Sequence, residues 1–259
     1  MFCATETAIY VTINGGKKWQ KVPGAPTISF RDITIQKREN VLVAASFGRG
    51  FFVLEDYSSL REMTEEKLSK EGTLFNTRDA LWYIPKSTIG NTGGDYYFAE
   101  NPDFGAVFTY HLSNSYPTLK SKRKELEKEM INKGQQIPAI NWSLLEKESR
   151  EEKTKIYVLI NDSDGEEVNR VNASASKGLN RVSWNLRHGS TPIINSDRMQ
   201  YSSSGSRRYS RSGHLVSPGN YTASLVKEIK GQMFVLDGPI NFNVVDLGRS
   251  TLKGTSYED

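Results

Sequence analysis

Cysteine is almost absent from this 259-residue chain: Cys3 stands alone, so no intrachain disulfide can form. Such thiol scarcity suits the cytosol or a secreted protein built without disulfides. Long apolar runs are missing too; none approaches the ~18 residues of a membrane-spanning helix. Net charge is small, +4 from 34 Lys+Arg and 30 Asp+Glu, so the chain as a whole lacks the electrostatic footprint of a nucleic-acid or membrane binder. Histidine is scarce: His111, His188 and His214 are far apart in sequence, without metal-ligand spacing and with no Cys/His cluster. Phosphate-binding glycine loops, G-x-S-x-G and H-E-x-x-H are all lacking. These absences predict no catalytic residue, no cofactor and no metal in this chain. The opening MFCATETAIYV carries neither a basic nor an apolar leader segment, so a signal peptide is not expected in it.

What is present is β-forming. Residues 1–56 hold short β-branched and aromatic runs, FCAT, AIYVTI, WQKV, FRDITIQ, VLVAAS and FFVLED, separated by Gly, Pro, Asn and Lys-rich breaks. Two of them repeat. FCAT-ET-AIYVTIN and LVAAS-FGR-GFFVLED share the order strand, hydroxyl residue (Thr5 or Ser46), break, strand. Ala8 aligns with Gly50, Tyr10 with Phe52 and Val11 with Val53, an offset of 42 residues (50 − 8). Repeats of about 40–50 residues with four short strands are the signature of propeller blades.

Between the copies lies TINGGKKW, Thr12 to Trp19. Asn14 can accept backbone N–H groups of its own turn, Gly15 and Gly16 can take positive φ, and Trp19 can pack over the turn. The segment resembles the Asp-box of BNR repeats, S/T-x-D/N-x-G-x-x-W, carried here by Thr12, Asn14, Gly16 and Trp19. A local side-chain-to-backbone bond requires no ligand, so the role expected for these four residues is structural, with a calcium or ligand role as the alternative. The second copy runs into EDYSSL, where the glycines and the Trp are gone.

Residues 57–103 read as a connector, with a helical SSLREMTEEKLSKEG, a strand-like TLFNTRDALWYI and a Gly/Asn/Asp-rich loop. Residues 104–247 predict a β-sandwich of about seven strands, Ig-like or fibronectin-like: GAVFTYHL, KIYVLIND, EEVNRVNA, LNRVSWNLR, GNYTASLVKE, QMFVL and PINFNVVD. Asp164-Gly165 and Lys230-Gly231 mark hairpins. Two insertions interrupt the sandwich. Residues 117–152 form a helical hairpin, opened by Pro117 and with a Ser143–Glu146 capping box for the second helix. Residues 189–216 are Ser-rich and basic, too polar to fold alone. Residues 248–259 read as a truncated tail. The fold class is therefore all-β: about two partial propeller blades followed by a sandwich.

Together, IYVTINGGKKWQKV, RDITIQKRENVLVAASFGRGFFVLED, NPDFGAVFTYHL, KELEKE, KGLNRVSWNLR and LVSPGNYTASL resemble one bacterial family, the sortilin-like BNR-repeat propellers often labelled glycosyl hydrolase-like. The resemblance implies a secreted or cell-envelope protein, further blades upstream as partners of these two, and a protein or glycan ligand. It also implies a chain cut at both ends. Where the family commonly has His before Gly-Arg-Gly, this chain has Phe47. The function expected is non-catalytic, binding or structural; the alternative is part of a glycoside hydrolase-like enzyme whose site lies in other blades.

Sialidase-type chemistry would draw an arginine cluster and carboxylates from several blades, and most glycosidases use paired carboxylates. Arg31, Arg38, Arg49 and Asp32 could each be a remnant of such a set, and each reads as a surface charge. SGSRRYSRSGH sets Arg207, Arg208 and Arg211 around Tyr209, a short basic tract that reads as a surface insertion and not as a nucleic-acid site. The sequons at Asn141, Asn161, Asn172 and Asn220 are those an Asn/Ser-rich composition yields by chance.

Overall fold

A computed structural model describes residues 1–84, 102–137, 141–189 and 213–247. The described residues form an all-β fold of four sheets with four helices. The first sheet orders β1 (Phe2–Ala4), β2 (Ile9–Val11) and β3 (Gln20–Lys21); the second orders β4 (Phe30–Gln36), β5 (Val41–Ser46) and β6 (Phe51–Leu54). Both are antiparallel meanders. They share one apolar core in which Ile9 and Val22 meet Phe30, Leu42, Ala44 and Tyr57. Phe30 and Phe52 pack edge to face at 5.6 Å, and the Phe30 amide donates to the Thr5 carbonyl, tying β4 to the turn after β1.

Residues 72–247 build the other two sheets. One orders β12 (Gly178–Trp184), β9 (Ala106–Leu112) and β7 (Gly72–Leu74). The other orders β11 (Glu167–Ala173), β10 (Lys155–Asn161), β13 (Gly219–Ile229), β14 (Gln232–Asp246) and β8 (Ala80–Trp82). Alternation along β9 and β10 turns Phe108, Tyr110, Leu112, Ile156, Val158 and Ile160 into a common core. Full burial of such side chains contributes roughly 1.5–3 kcal/mol each. At its centre Phe242 meets Phe108 at 5.3 Å, and Trp184 meets Tyr221 at 5.6 Å. The Trp184 indole N–H donates to the Arg187 carbonyl, so burial of the ring leaves no donor orphaned. Gly105 (φ 102°) permits this: a Cβ there would lie 1.9 Å from the Trp184 carbonyl oxygen.

Several local expectations meet a different outcome. The segment 57–84 contributes strands to both of these sheets: β7 pairs with β9, and β8 runs parallel to β14. QMFVL and PINFNVVD form one strand, β14, whose pairing with β13 shifts register around Ala223 and Leu225 instead of breaking at Gly238-Pro239. The helical stretch after β6 is two short helices, α1 (Ser58–Glu62) and α2 (Glu65–Ser69), the second capped by Thr64. In the insertion, α3 (Leu119–Asn132) is capped by Thr118, and α4 (Trp142–Arg150) starts one residue before Ser143. The cap of α4 is Asn141, whose Oδ1 accepts the Ser143 amide, so no capping box is centred on Ser143. The Asp162–Glu166 backbone bond closes a longer β10–β11 connection than a two-residue turn, whereas Lys230-Gly231 does form a two-residue hairpin with both φ positive.

Neither α3 nor α4 buries a side chain. They hold each other through Arg123, whose guanidinium donates to both oxygens of Glu148 (2.6 and 3.0 Å) and to Glu127 (2.6 Å). Those bonds push the arginine further toward its charged form and hold the Glu148 carboxyl below its usual range.

Candidate functional site

The Asp-box-like turn connects β2 to β3. The Thr12 hydroxyl donates to Asn14 Oδ1 (3.0 Å) and accepts the Gly16 amide (3.0 Å); Asn14 Oδ1 also accepts the Lys18 amide (2.9 Å). Gly15 (φ 70°) and Gly16 (φ 93°) take the left-handed backbone that this closure requires. Both lone pairs of the Asn14 carbonyl are thus used within the turn, which bonds to itself. Trp19 lies beyond the turn with 41% of its surface exposed. Forty-two residues on, the position of Asn14 is occupied by Asp56, whose Oδ1 accepts the Ser58 amide (3.2 Å). A local acceptor is kept there although the glycines and the Trp are not.

The repeat extends to the pairing of the strands. In the first copy Phe2 faces Val11, Cys3 faces Tyr10 and Ala4 faces Ile9; in the second Val43 faces Val53, Ala44 faces Phe52 and Ala45 faces Phe51. The leading strand is displaced by 41 residues (43 − 2) and the following one by 42 (53 − 11). The extra residue lies in the turn, and each turn is latched alike. The Thr5 hydroxyl donates to the Ala8 carbonyl (2.8 Å), and the Ser46 hydroxyl donates to the Gly50 carbonyl (2.7 Å).

The two copies stack in the same sense, not as mirror partners. The first sheet enters the shared core with Phe2, Ala4, Ile9 and Val11. The second enters it with Leu42, Ala44, Phe52 and Leu54, which are counterparts of the first sheet's opposite face. The second sheet's counterparts of Phe2, Ala4, Ile9 and Val11 are therefore Val43, Ala45, Phe51 and Val53, on its outer side. Phe51 is 75% exposed and Val53 57% exposed. Phe47, in the latched turn, is 69% exposed with the Arg31 guanidinium 5.1 Å from its ring centroid.

The other charged candidates do not converge. Asp32 lies on β4 opposite Ala45, and Arg49 is exposed in the β5–β6 turn. Arg38, at the far end of β4, pairs with Glu39 (3.0 Å), which also takes Arg78 (3.3 Å). Arg207, Arg208, Arg211 and Tyr209, and the 248–259 tail, lie outside the described residues. Among the described residues no three His, Cys, Asp or Glu side chains gather as a metal site, and no helix is long and apolar enough to cross a membrane.

One juxtaposition escapes the sequence. His188 and His214 stack with ring centroids 4.1 Å apart, and the His188 amide donates to the His214 carbonyl (3.0 Å). Burial, and then the neighbouring imidazole, lower the pKa of His188, while the Asp162 charge works in the opposite direction. His111 sits on β9 away from them; burial and then Lys177 lower its pKa. Next to the pair, Leu215 bridges to Arg187. Against this geometry, comparison with protein-family models, with curated proteins and with solved structures finds no match.

Proposed function

We propose that this chain is the closing part of an Asp-box β-propeller joined to an Ig- or fibronectin-like sandwich. It serves a non-catalytic, binding or structural role in a secreted or cell-envelope protein of the sortilin-like BNR-repeat class. The observation that carries the reading is the repeat itself: two sheets with the same strand pairing and turn latch, stacked in the same sense. Same-sense stacking is how one-dimensional repeats grow, each unit offering its neighbour the face that it received from the last. The self-bonded turn at Thr12–Lys18 supports a structural Asp-box. The scatter of Arg31, Arg38 and Arg49 supports a role without glycosidase chemistry, which needs charges brought to one point. The partners on this reading are further blades of the same kind and a protein or glycan ligand.

The test is to incubate the chain with a panel of fluorogenic glycosides, sialosides included, and to measure glycan binding by array and calorimetry. Binding without turnover is the expected result. Turnover abolished by Asp32→Asn would replace this reading with a glycoside hydrolase-like enzyme.

A further inference from the structure

The outer face of the β4-β5-β6 sheet is apolar at its centre: Val43 and Ala45 on β5, Phe51 and Val53 on β6, with Phe47 at the rim. The four strand residues have counterparts in the first sheet, Phe2, Ala4, Ile9 and Val11, that are packed in a core, so the same positions are covered in one copy and turned outward in the other. Within the chain, the rule of contact is specific. The face carrying Phe2, Ala4, Ile9 and Val11 receives the face carrying Leu42, Ala44, Phe52 and Leu54. The open face belongs to the first kind. A face of the second kind is also open, on the outer side of the first sheet, where Met1, Cys3 and Tyr10 are the counterparts of Leu42, Ala44 and Phe52. Met1 and Cys3 are exposed there and Tyr10 is half-buried. Two of the four positions keep the shape of the contact: Cys3 is small where Ala44 is small, and Tyr10 is an aromatic ring where Phe52 is one; at the fourth, the buried Thr12 stands where the second sheet has Leu54.

We propose that the open β4-β5-β6 face is a docking surface for the outer β1-β2-β3 face of a second copy of this chain, so that copies associate head to tail by continuing the internal stack. The inference rests on the repeat geometry and not on the family or function proposed above. Contact of this kind is heterologous: each addition leaves the same two faces free at the ends, so it builds rings or open chains and not a closed two-fold dimer. An exposed apolar sheet face bounded by the unpaired side of β6 also has a physical drive to be covered.

The experiment uses the whole chain. Sedimentation velocity across a concentration range should show a weight-average mass that rises past that of a dimer. Phe51→Lys should weaken the association at least ~10-fold, about 1.4 kcal/mol at 25 °C, and leave the melting temperature unchanged at dilutions where the chain is monomeric and the position is exposed. The lone Cys3 then reports the geometry. In Phe51→Cys under mild oxidation, mass spectrometry of peptides should find a disulfide between Cys3 of one molecule and the new thiol of another, lost when Cys3→Ser is added. A chain that stays monomeric at every concentration overturns the proposal, and so does a disulfide formed only between two position-51 thiols, the mark of a two-fold contact. Neither result bears on glycan binding or turnover, so this proposal and the functional one fail separately.

Discussion

Residues 1–56 and residues 72–247 are both made of short, mostly antiparallel strands, yet they cover their apolar faces by different means. In the second region the three-stranded and five-stranded sheets turn their inner faces to one core of eighteen buried side chains among the described residues, so each sheet's inner face is covered by the other. In the first region two sheets stack around six buried side chains and leave a further apolar face outside. The lesson concerns symmetry. Two unlike sheets facing each other cover each other's inner face, even though Met233, Phe234 and Val235 stay exposed on β14, whereas two like sheets stacked in one sense carry one unmatched face onward.

That contrast can be broken most directly in the cores. Phe108→Ala should cost ~3–5 kcal/mol, because the ring is fully enclosed and its neighbours are held by two sheets. Leu42→Ala in the smaller core should cost about 2–3 kcal/mol, at the low end for such truncations, since a two-sheet stack with an open side can settle into the gap. Urea denaturation of both variants measures the difference, and equal losses would remove the distinction between a closed and an open core.

Asn14→Ala comes next, at roughly 0.5–2 kcal/mol, the size of a lost local cap. It strips the Lys18 amide and the Thr12 hydroxyl of their acceptor. Asn14→Asp keeps an acceptor and should recover most of the loss in the same denaturation experiment; a ligand-binding role for the turn would instead show no effect on stability.

Arg181→Ala sharpens the relation between the regions. Its guanidinium, on β12, donates to the carbonyls of Glu55 and Asp56 at the end of the first region. Removing it should cost about 1 kcal/mol, exposure to water limiting a charge-assisted bond, and should separate the unfolding of the two regions. Calorimetry would show this as a broadened or split transition; an unchanged single peak would mean that other contacts couple them.

The smallest expected effect is pH-dependent. Glu71 accepts from Lys227 and from the Tyr116 hydroxyl, which hold its carboxyl below the ordinary glutamate value. Its folded pKa lies below the unfolded one, so the stabilisation is present above the unfolded value and fades as pH falls through the folded value. Glu71 is 46% exposed, so Glu71→Gln should lose only ~0.5–1 kcal/mol at pH 7, with the gap to the parent closing below about pH 4. Thermal melts at pH 7 and at pH 3 measure it.

Much of the strand content was legible because it is local: AVFTYHL, KIYVLIN and VLVAAS are apolar runs of strand length between turn residues. The aligned hydroxyl residues Thr5 and Ser46 and the 42-residue offset were legible for the same reason, whereas the bonds those hydroxyls make were not. What lay out of reach depends on partners distant in sequence. GTL and ALW are three-residue pieces whose place in a sheet comes only from β9 and β14. Gly238-Pro239 looks like a break and is carried inside a long strand by its neighbour β13. The outward turn of Phe51 and Val53 could not be read from alternation, because both faces of β6 are apolar and only the stack decides which is covered. His188 and His214 meet because the backbone closes across the basic tract, something residue spacing does not encode.

The parallel pairing of β8 with β14 bears on the order of events during synthesis. Val244, Val245 and Asp246 lie beside Ala80, Leu81 and Trp82, and the Leu74 amide is bonded to the Asp237 carboxylate 163 residues later. Strand β8, laid down early, must wait for β14, because β14 is its only neighbour in the sheet order. A ribosome adding ~5–20 residues per second spends roughly 8–33 seconds between the two partners of that one bond. During that interval the nascent chain carries β9 and β10 with their inner faces bare, while the first pair of sheets can already stack. The larger and better-covered region is thus the later one to become safe from aggregation, and a cell making this protein has to shelter it longest.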